Sequence, residues 1–160
     1  MVDLRLTANY SLLSGEYITK DGVLFRADAA YTAVSDENRG SKVILRIGKI
    51  FDQTFGVGYE YYYYNFNEQT ILYWSPSNFE SHSIWASWDA VSETNFLLSL
   101  NGKVGLIPNE NFILRELNSN LSYYFTTNFV LQARLSFGSS VRVNQGYNSI
   151  SFGLTAYWTL

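Results

Sequence analysis

The chain of 160 residues has no cysteine, a single histidine and only two prolines. Without cysteine there is no disulfide framework and no thiolate metal site. The lone histidine, His82, excludes a multi-histidine metal centre, and any histidine-dependent triad must use it. Two prolines and 11 glycines leave little material for linkers, so a single domain spanning 1–160 is expected. Charge is sparse, at 16% of residues, and the net charge of −3 argues against a nucleic-acid partner, whose phosphates require a basic surface. No apolar run approaches the roughly 20 residues of a spanning helix, although 47% of the chain is hydrophobic. Asp3 and Arg5 interrupt any apolar core of a secretory signal, so a mature chain or a segment of a longer precursor is expected. Gly56-Val57-Gly58 lacks a phosphate-loop continuation and points to close backbone approach inside a strand. No cofactor is implied.

What the chain has is alternation. From 147 to 160, Ile150, Phe152, Leu154, Ala156, Trp158 and Leu160 form one row, and Ser149, Ser151, Gly153, Thr155 and Tyr157 the other. Strand side chains point to opposite faces with a period of two, so this strand has an apolar and a polar side. Similar apolar rows run through Val2–Leu4–Leu6–Ala8–Tyr10–Leu12 and Val23–Phe25–Ala27–Ala29–Tyr31–Ala33. They continue in Val43–Leu45–Ile47–Phe51, Phe55–Val57–Tyr59–Tyr61–Tyr63 and Ile84–Ala86–Trp88–Ala90. The remainder are Phe96–Leu98–Leu100–Val104–Leu106, Leu117–Leu121–Tyr123–Phe125 and Phe129–Leu131–Ala133–Leu135–Phe137. These make about nine segments, most near the roughly 9–11 residues that a tilted strand needs to cross a bilayer. Aromatics are 18% of the chain, which suits interfacial girdles. The expected fold is all-β: an antiparallel up-and-down transmembrane β-barrel of about eight to ten strands, or the C-terminal part of a larger barrel. Its place is the bacterial outer membrane, with outer-membrane lipid against the apolar rows.

Turns set the expected orientation. Tight connections are read at 51–54, 91–95 and 125–128, and longer ones at 36–41, 68–80, 108–113 and 140–147. Short turns are periplasmic and longer loops extracellular in such barrels. Phe51, Phe55, Trp88, Phe96, Phe125, Phe129 and Trp158 flank the short turns as one girdle. Counting back from a periplasmic C-terminus, nine strands put the N-terminus outside, whereas bacterial single-chain barrels have even strand numbers. Either one segment is not a full strand, the short 42–51 being weakest, or the sheet is part of a larger cylinder. Residues 15–22 are expected as a looser turn.

The rows opposite the apolar ones carry the candidate functional residues: Arg26, Asp28, Lys42, Arg46, Glu60, Asp89, Lys103, Glu116 and Arg134. Arg26 and Asp28 are expected to face Lys42 and Arg46, Arg46 to face Glu60, Lys103 to lie between Asp89 and Glu116, and Arg134 to follow Glu116. About eight strands would leave these charges filling the lumen, whereas about sixteen would leave them lining an aqueous pore. The inward aromatics Tyr62, Tyr64, Trp85, Tyr124 and Tyr157 are candidate flat surfaces for passing sugar rings. His82 lies on an apolar row near the outer end, but Ser83 is adjacent and position 84 is Ile, which breaks the His-x-Ser spacing of barrel enzymes that trim lipid A.

The segment Ile71-Leu72-Tyr73-Trp74-Ser75-Pro76-Ser77-Asn78-Phe79-Glu80-Ser81-His82-Ser83, together with Gly146-Tyr147-Asn148 and the terminal strand, resembles the barrel of cellulose-synthase outer-membrane subunits. Those are exopolysaccharide export porins with tetratricopeptide repeats ahead of the barrel; no helical repeat is present here. The resemblance covers 71–160 at most. It implies a passive pore, or part of one, that takes a polysaccharide chain and performs no catalysis. A small closed barrel acting as anchor or assembly element is the alternative, and a lipid A-modifying enzyme the third. The terminal strand also resembles the signal read by the barrel-assembly machinery, through Ser151, Gly153, Ala156, Trp158 and Leu160, with leucine in place of the usual final aromatic.

Overall fold

The computed structural model describes residues 6–92, 95–142 and 145–159. They form nine strands: β1 (Ala8–Ile18), β2 (Val23–Val34), β3 (Arg39–Phe51), β4 (Phe55–Phe66), β5 (Phe79–Ser92), β6 (Phe96–Ile107), β7 (Phe112–Thr126), β8 (Phe129–Arg142) and β9 (Gln145–Trp158). Each pairs antiparallel with its sequence neighbours in one up-and-down sheet ordered β1 to β9. The sheet is not closed: β1 and β9 are its edges. The short segment 42–51 is part of a full strand of 13 residues, so the nine expected strands are all present.

The sheet is curved, and its two faces are sorted as the alternation requires. The buried apolar residues Leu24, Ala30, Phe66, Trp85, Ile107 and Leu114 all project to the concave side. The convex side exposes Phe25, Leu45, Ile47, Ile84, Val104, Leu117, Leu135, Ile150, Phe152 and Leu154. This is the reverse of a soluble sheet, which buries its apolar face. Charges on the convex face of the described strands are Arg39, Lys49, Glu80 and Arg115, each within about four residues of a strand end. Between them runs a band free of charge. Beside the turns at one end, aromatic pairs form: the ring centroids of Phe51 and Phe55 are 6.1 Å apart, Phe125 and Phe129 5.3 Å, and Phe129 and Trp158 6.1 Å.

Three expectations are corrected. First, Val2 and Leu4 of the expected first row lie outside the described residues, and strand β1, from Ala8 to Ile18, absorbs residues 15–18. Its register pairs Tyr10 with Thr32 and Leu12 with Ala30, which turns both toward the concave side rather than outward. Second, three of the four longer loops are short, because strands run through 39–41, 112–113, 140–142 and 145–147. Glycines misled there: Gly40 and Gly146 lie in strands, where the rings of Phe66 and Phe112 occupy the space a side chain would need. The one long loop is 67–78, and the asymmetry between the two ends rests on it. Third, the turn expected at 15–22 is tight and confined to 19–22: the Thr19 N–H donates to the Val23 carbonyl, the Val23 N–H donates to Thr19 Oγ1, and Gly22, at φ 79°, sits where any Cβ would collide with the Ile50 carbonyl. At 51–54 the central residues Asp52 and Gln53 both have positive φ, 47° and 60°, the twist-compatible geometry of a type I′ turn, with Thr54 as the third residue of the loop.

Candidate functional site

The concave face gathers charges from six strands into two chains. On β1 and β2, Ser14 Oγ donates to Asp28 at 2.6 Å, Arg26 Nε donates to Asp28 at 2.9 Å, and Arg26 lies 3.7 Å from Glu16. On β3 to β7, Arg46 pairs with Glu60, and Lys103 Nζ bridges Glu60 at 2.9 Å and Glu116 at 3.0 Å. Register explains the arrangement. Arg46 stands directly opposite Glu60, Lys103 opposite Glu116, and Ser83 and Gly105 occupy the ladder beside Glu60, so Lys103 reaches it across β5 over small residues. Register also sets Arg26 opposite Arg46, a like-charge pair that costs stability. Each arginine turns instead to its own carboxylates. Glu60 is 1% exposed, and an isolated carboxylate so deeply buried would be untenable without its two cations.

Several expected partners differ. Lys103 bridges Glu60 and Glu116 and is not shared with Asp89, which is exposed and opposite Ser99. Arg134 donates to Gln132 at 2.7 Å rather than following Glu116. Lys42 sits opposite Ala30 and Tyr64, with its ammonium 5.7 Å from the centroid of the Tyr10 ring. Glu16 and Ser14 join the site unforeseen, because 15–22 had the composition of a turn and the even row of the first strand was read as outward; reading the parity of β2 back through that turn would have found them.

Trp85 is not an open platform. Its ring lies over Gly48, Gly56 and Gly58, where a Cβ at Gly56 would come within 3.0 Å of Cζ3, and its indole N–H donates to the Tyr59 carbonyl at 3.3 Å. The close approach read from Gly56-Val57-Gly58 is thus a seat for this indole. Tyr124 and Tyr157 are exposed on the concave parity of β7 and β9. Tyr62 meets Tyr64 and Phe79 edge-on, at 6.4 and 5.8 Å.

Those tyrosines begin an aromatic cluster at one end of the concave face, completed by loop 67–78. The loop bends inward: Trp74 packs edge-on against Tyr64 at 5.3 Å and Phe79 at 5.5 Å, and Tyr73 lies 5.8 Å from Phe66. Buried Asn38 in the β2–β3 turn anchors it, donating to the Glu68 carbonyl at 2.8 Å and to the Tyr73 hydroxyl at 2.9 Å. The Tyr73 hydroxyl donates in turn to Asp36 at 2.9 Å. Burial pushes that hydroxyl up from its ordinary pKa; Asn38 opposes the shift and Asp36 adds to it. On the other side Asn109 donates to the Asn78 carbonyl at 3.0 Å. Nothing local to 67–78 announced this inward packing.

On the convex face His82 contacts the Tyr59 hydroxyl through Nδ1 and stacks near Tyr61, while its neighbours Ser81 and Ser83 are buried on the other side. Adjacent strand residues cannot share a face, so neither serine can pair with it. Among the described residues no cluster of three metal-ligating side chains occurs. Of the residues expected to form an assembly signal, Ser151 and Gly153 face the concave side and Ala156 and Trp158 the convex side of edge strand β9. Leu160 lies outside the described residues.

No protein-family model and no curated protein matches this sequence. Among solved structures, a bacterial polysaccharide outer membrane secretin superposes with a TM-score of 0.73 at 14% identity. The match covers 97% of this chain but 58% of that one, so this chain spans under two thirds of the length of its structural neighbour. The relationship is one of fold: these nine antiparallel strands take the arrangement found in part of that outer-membrane protein's β-structure.

Proposed function

We propose that this sheet is a wall of an outer-membrane β-barrel, convex rows in lipid and concave face toward an aqueous lumen, and that the lumen is a passive conduit for a polysaccharide chain. The observation that carries the reading is the sidedness: a convex band free of charge, against a concave face whose ion pairs run from β1 to β7. Exposed apolar surface of this extent marks a lipid or partner contact. The fold shared with a polysaccharide secretin supports the substrate class. No catalytic step is part of the proposal.

Free edges at β1 and β9 are untenable in hydrocarbon, where every backbone group needs a partner. With nine alternating strands, β1 and β9 run in the same direction, so antiparallel closure needs an odd number of added strands, from this polypeptide or another. The barrel-assembly machinery is the expected partner of β9 and its terminal signal.

Planar-bilayer recording tests the conduit. Steady conductance is expected from the assembled protein, and silence would sink the transport reading in favour of an anchor. Cysteines at Leu13 and Leu154, both on the convex face and at similar distances from the same end of β1 and β9, test closure: efficient bridging within a monomer would mean that the nine strands close alone. Mass analysis of lipid A with and without His82→Ala is expected to show no difference.

A further inference from the structure

Beneath loop 67–78 lies a cleft of about 230 Å3, floored by Phe79 and the fully buried Ile107 and walled by Trp74, Gln69, Ser77 and Glu110. That is below the roughly 300–1,000 Å3 of pockets for drug-sized ligands, and suits a single small ring. Trp74 is held edge-on by Tyr64 and Phe79, yet 37% of it remains exposed. A rigidly placed indole left open to solvent is a large apolar surface with a defined orientation. Among the described residues, the side chains of Gln69, Ser77 and Glu110 take no hydrogen-bond partner within the protein, although other polar groups of the loop, such as Ser75 with Thr70, are engaged. The cleft therefore combines one flat aromatic face with uncommitted in-plane donors and acceptors. Its only charge is the carboxylate of Glu110.

We infer that this cleft is a subsite for one pyranose ring of a neutral saccharide chain, placed where the chain passes the end of the concave face. A pyranose has apolar C–H faces, which pack on the electron-rich indole face, and equatorial hydroxyls that leave the ring near its plane, toward Gln69, Ser77 and Glu110. A uronate ring brings a second carboxylate beside Glu110 with no cation in the cleft to offset it, so acidic saccharides are excluded. The inference rests on the polysaccharide reading above, but its test is separate from conductance.

The protein in lipid nanodiscs is titrated with cellotetraose, chitotetraose and tetragalacturonate by isothermal calorimetry, whose signal does not depend on Trp74. Saturable binding of one or both neutral oligosaccharides is expected, with none of tetragalacturonate. Trp74→Ala should weaken it at least tenfold, and Ser77→Trp, which fills the cleft without removing a packing contact, should abolish it. Leu72→Ala, exposed and outside the cleft, should leave it unchanged. Binding that survives both cleft substitutions, equal binding of the uronate, or no saturation by any of the three overturns the subsite. Conductance that persists in those cases keeps the conduit reading alive, whereas binding without conductance preserves the subsite and removes the conduit.

Discussion

In β4 the inward row carries Gly56, Gly58, Glu60, Tyr62, Tyr64 and Phe66, every one buried or half-buried. In β9 the inward row is Tyr147, Ser149, Ser151, Gly153, Thr155 and Tyr157, and all but Gly153 are exposed. Both strands alternate equally well. They differ in what reaches over them: Trp85 crosses from β5 to cover the β4 glycines, and Lys103 crosses from β6 to Glu60, while β9 has a neighbour on one side only. Burial on a concave face is thus set by side chains reaching over from strands one or two places away, not by the strand's own composition.

The other edge sharpens the contrast. The convex row of β9 is apolar throughout, from Ile150 to Trp158. The convex row of β1 holds Asn9, Ser11, Leu13, Gly15 and Tyr17, and its large apolar residues are divided, with Tyr10, Leu12 and Ile18 pointing inward. On the proposed reading, strand β9 is ready for lipid as it stands, whereas β1 has a mixed surface on both sides, as at a seam where the wall meets further structure.

The largest effect expected from breaking this comparison is at the centre. Glu60→Gln leaves Arg46 and Lys103 without their shared carboxylate and should cost about 3 kcal/mol, discounted for the partial solvent access of Arg46. Urea titration of the protein refolded into lipid vesicles measures it, and an effect near zero would mean that the ion-pair chain does not hold the wall. Next comes lipid contact at the two edges. Leu154→Arg on β9 should cost about 2–4 kcal/mol near the bilayer midplane, and Ser11→Arg on β1 about 0–1 kcal/mol. Equal costs would put both convex rows in lipid and erase the seam. The smallest difference concerns glycine. At Gly58 a Cβ meets the backbone of β3, 2.6 Å from the Gly48 Cα, so Gly58→Ala should cost about 1–3 kcal/mol by overpacking. At Gly153 nothing lies within 4 Å, so Gly153→Ala should be close to neutral in the same titration.

Much of this was legible in the residues. The apolar rows from Val23 to Trp158 fall on one face of one sheet, and the pairings of Arg46 with Glu60 and Lys103 with Glu116 follow from parity and strand order. The tight turns at 51–54 and 125–128 were marked by the ends of those rows. Less was legible where small residues serve two purposes. Gly40 and Gly146 have the composition of loops, yet here they are the thin places in strands that accept a ring from β4 and from β7.

The sequence by itself determined that each strand has one apolar and one polar side, because a period of two is a property of the extended backbone and needs no partner. Which side of β1 turns inward, which carboxylate Lys103 reaches, where Trp85 finds its glycine seat and how loop 67–78 folds back over Tyr64 and Phe79 were decided only in the tertiary structure. Each of these depends on the register of a neighbouring strand, and a shift of one residue in register exchanges the two faces of a whole strand.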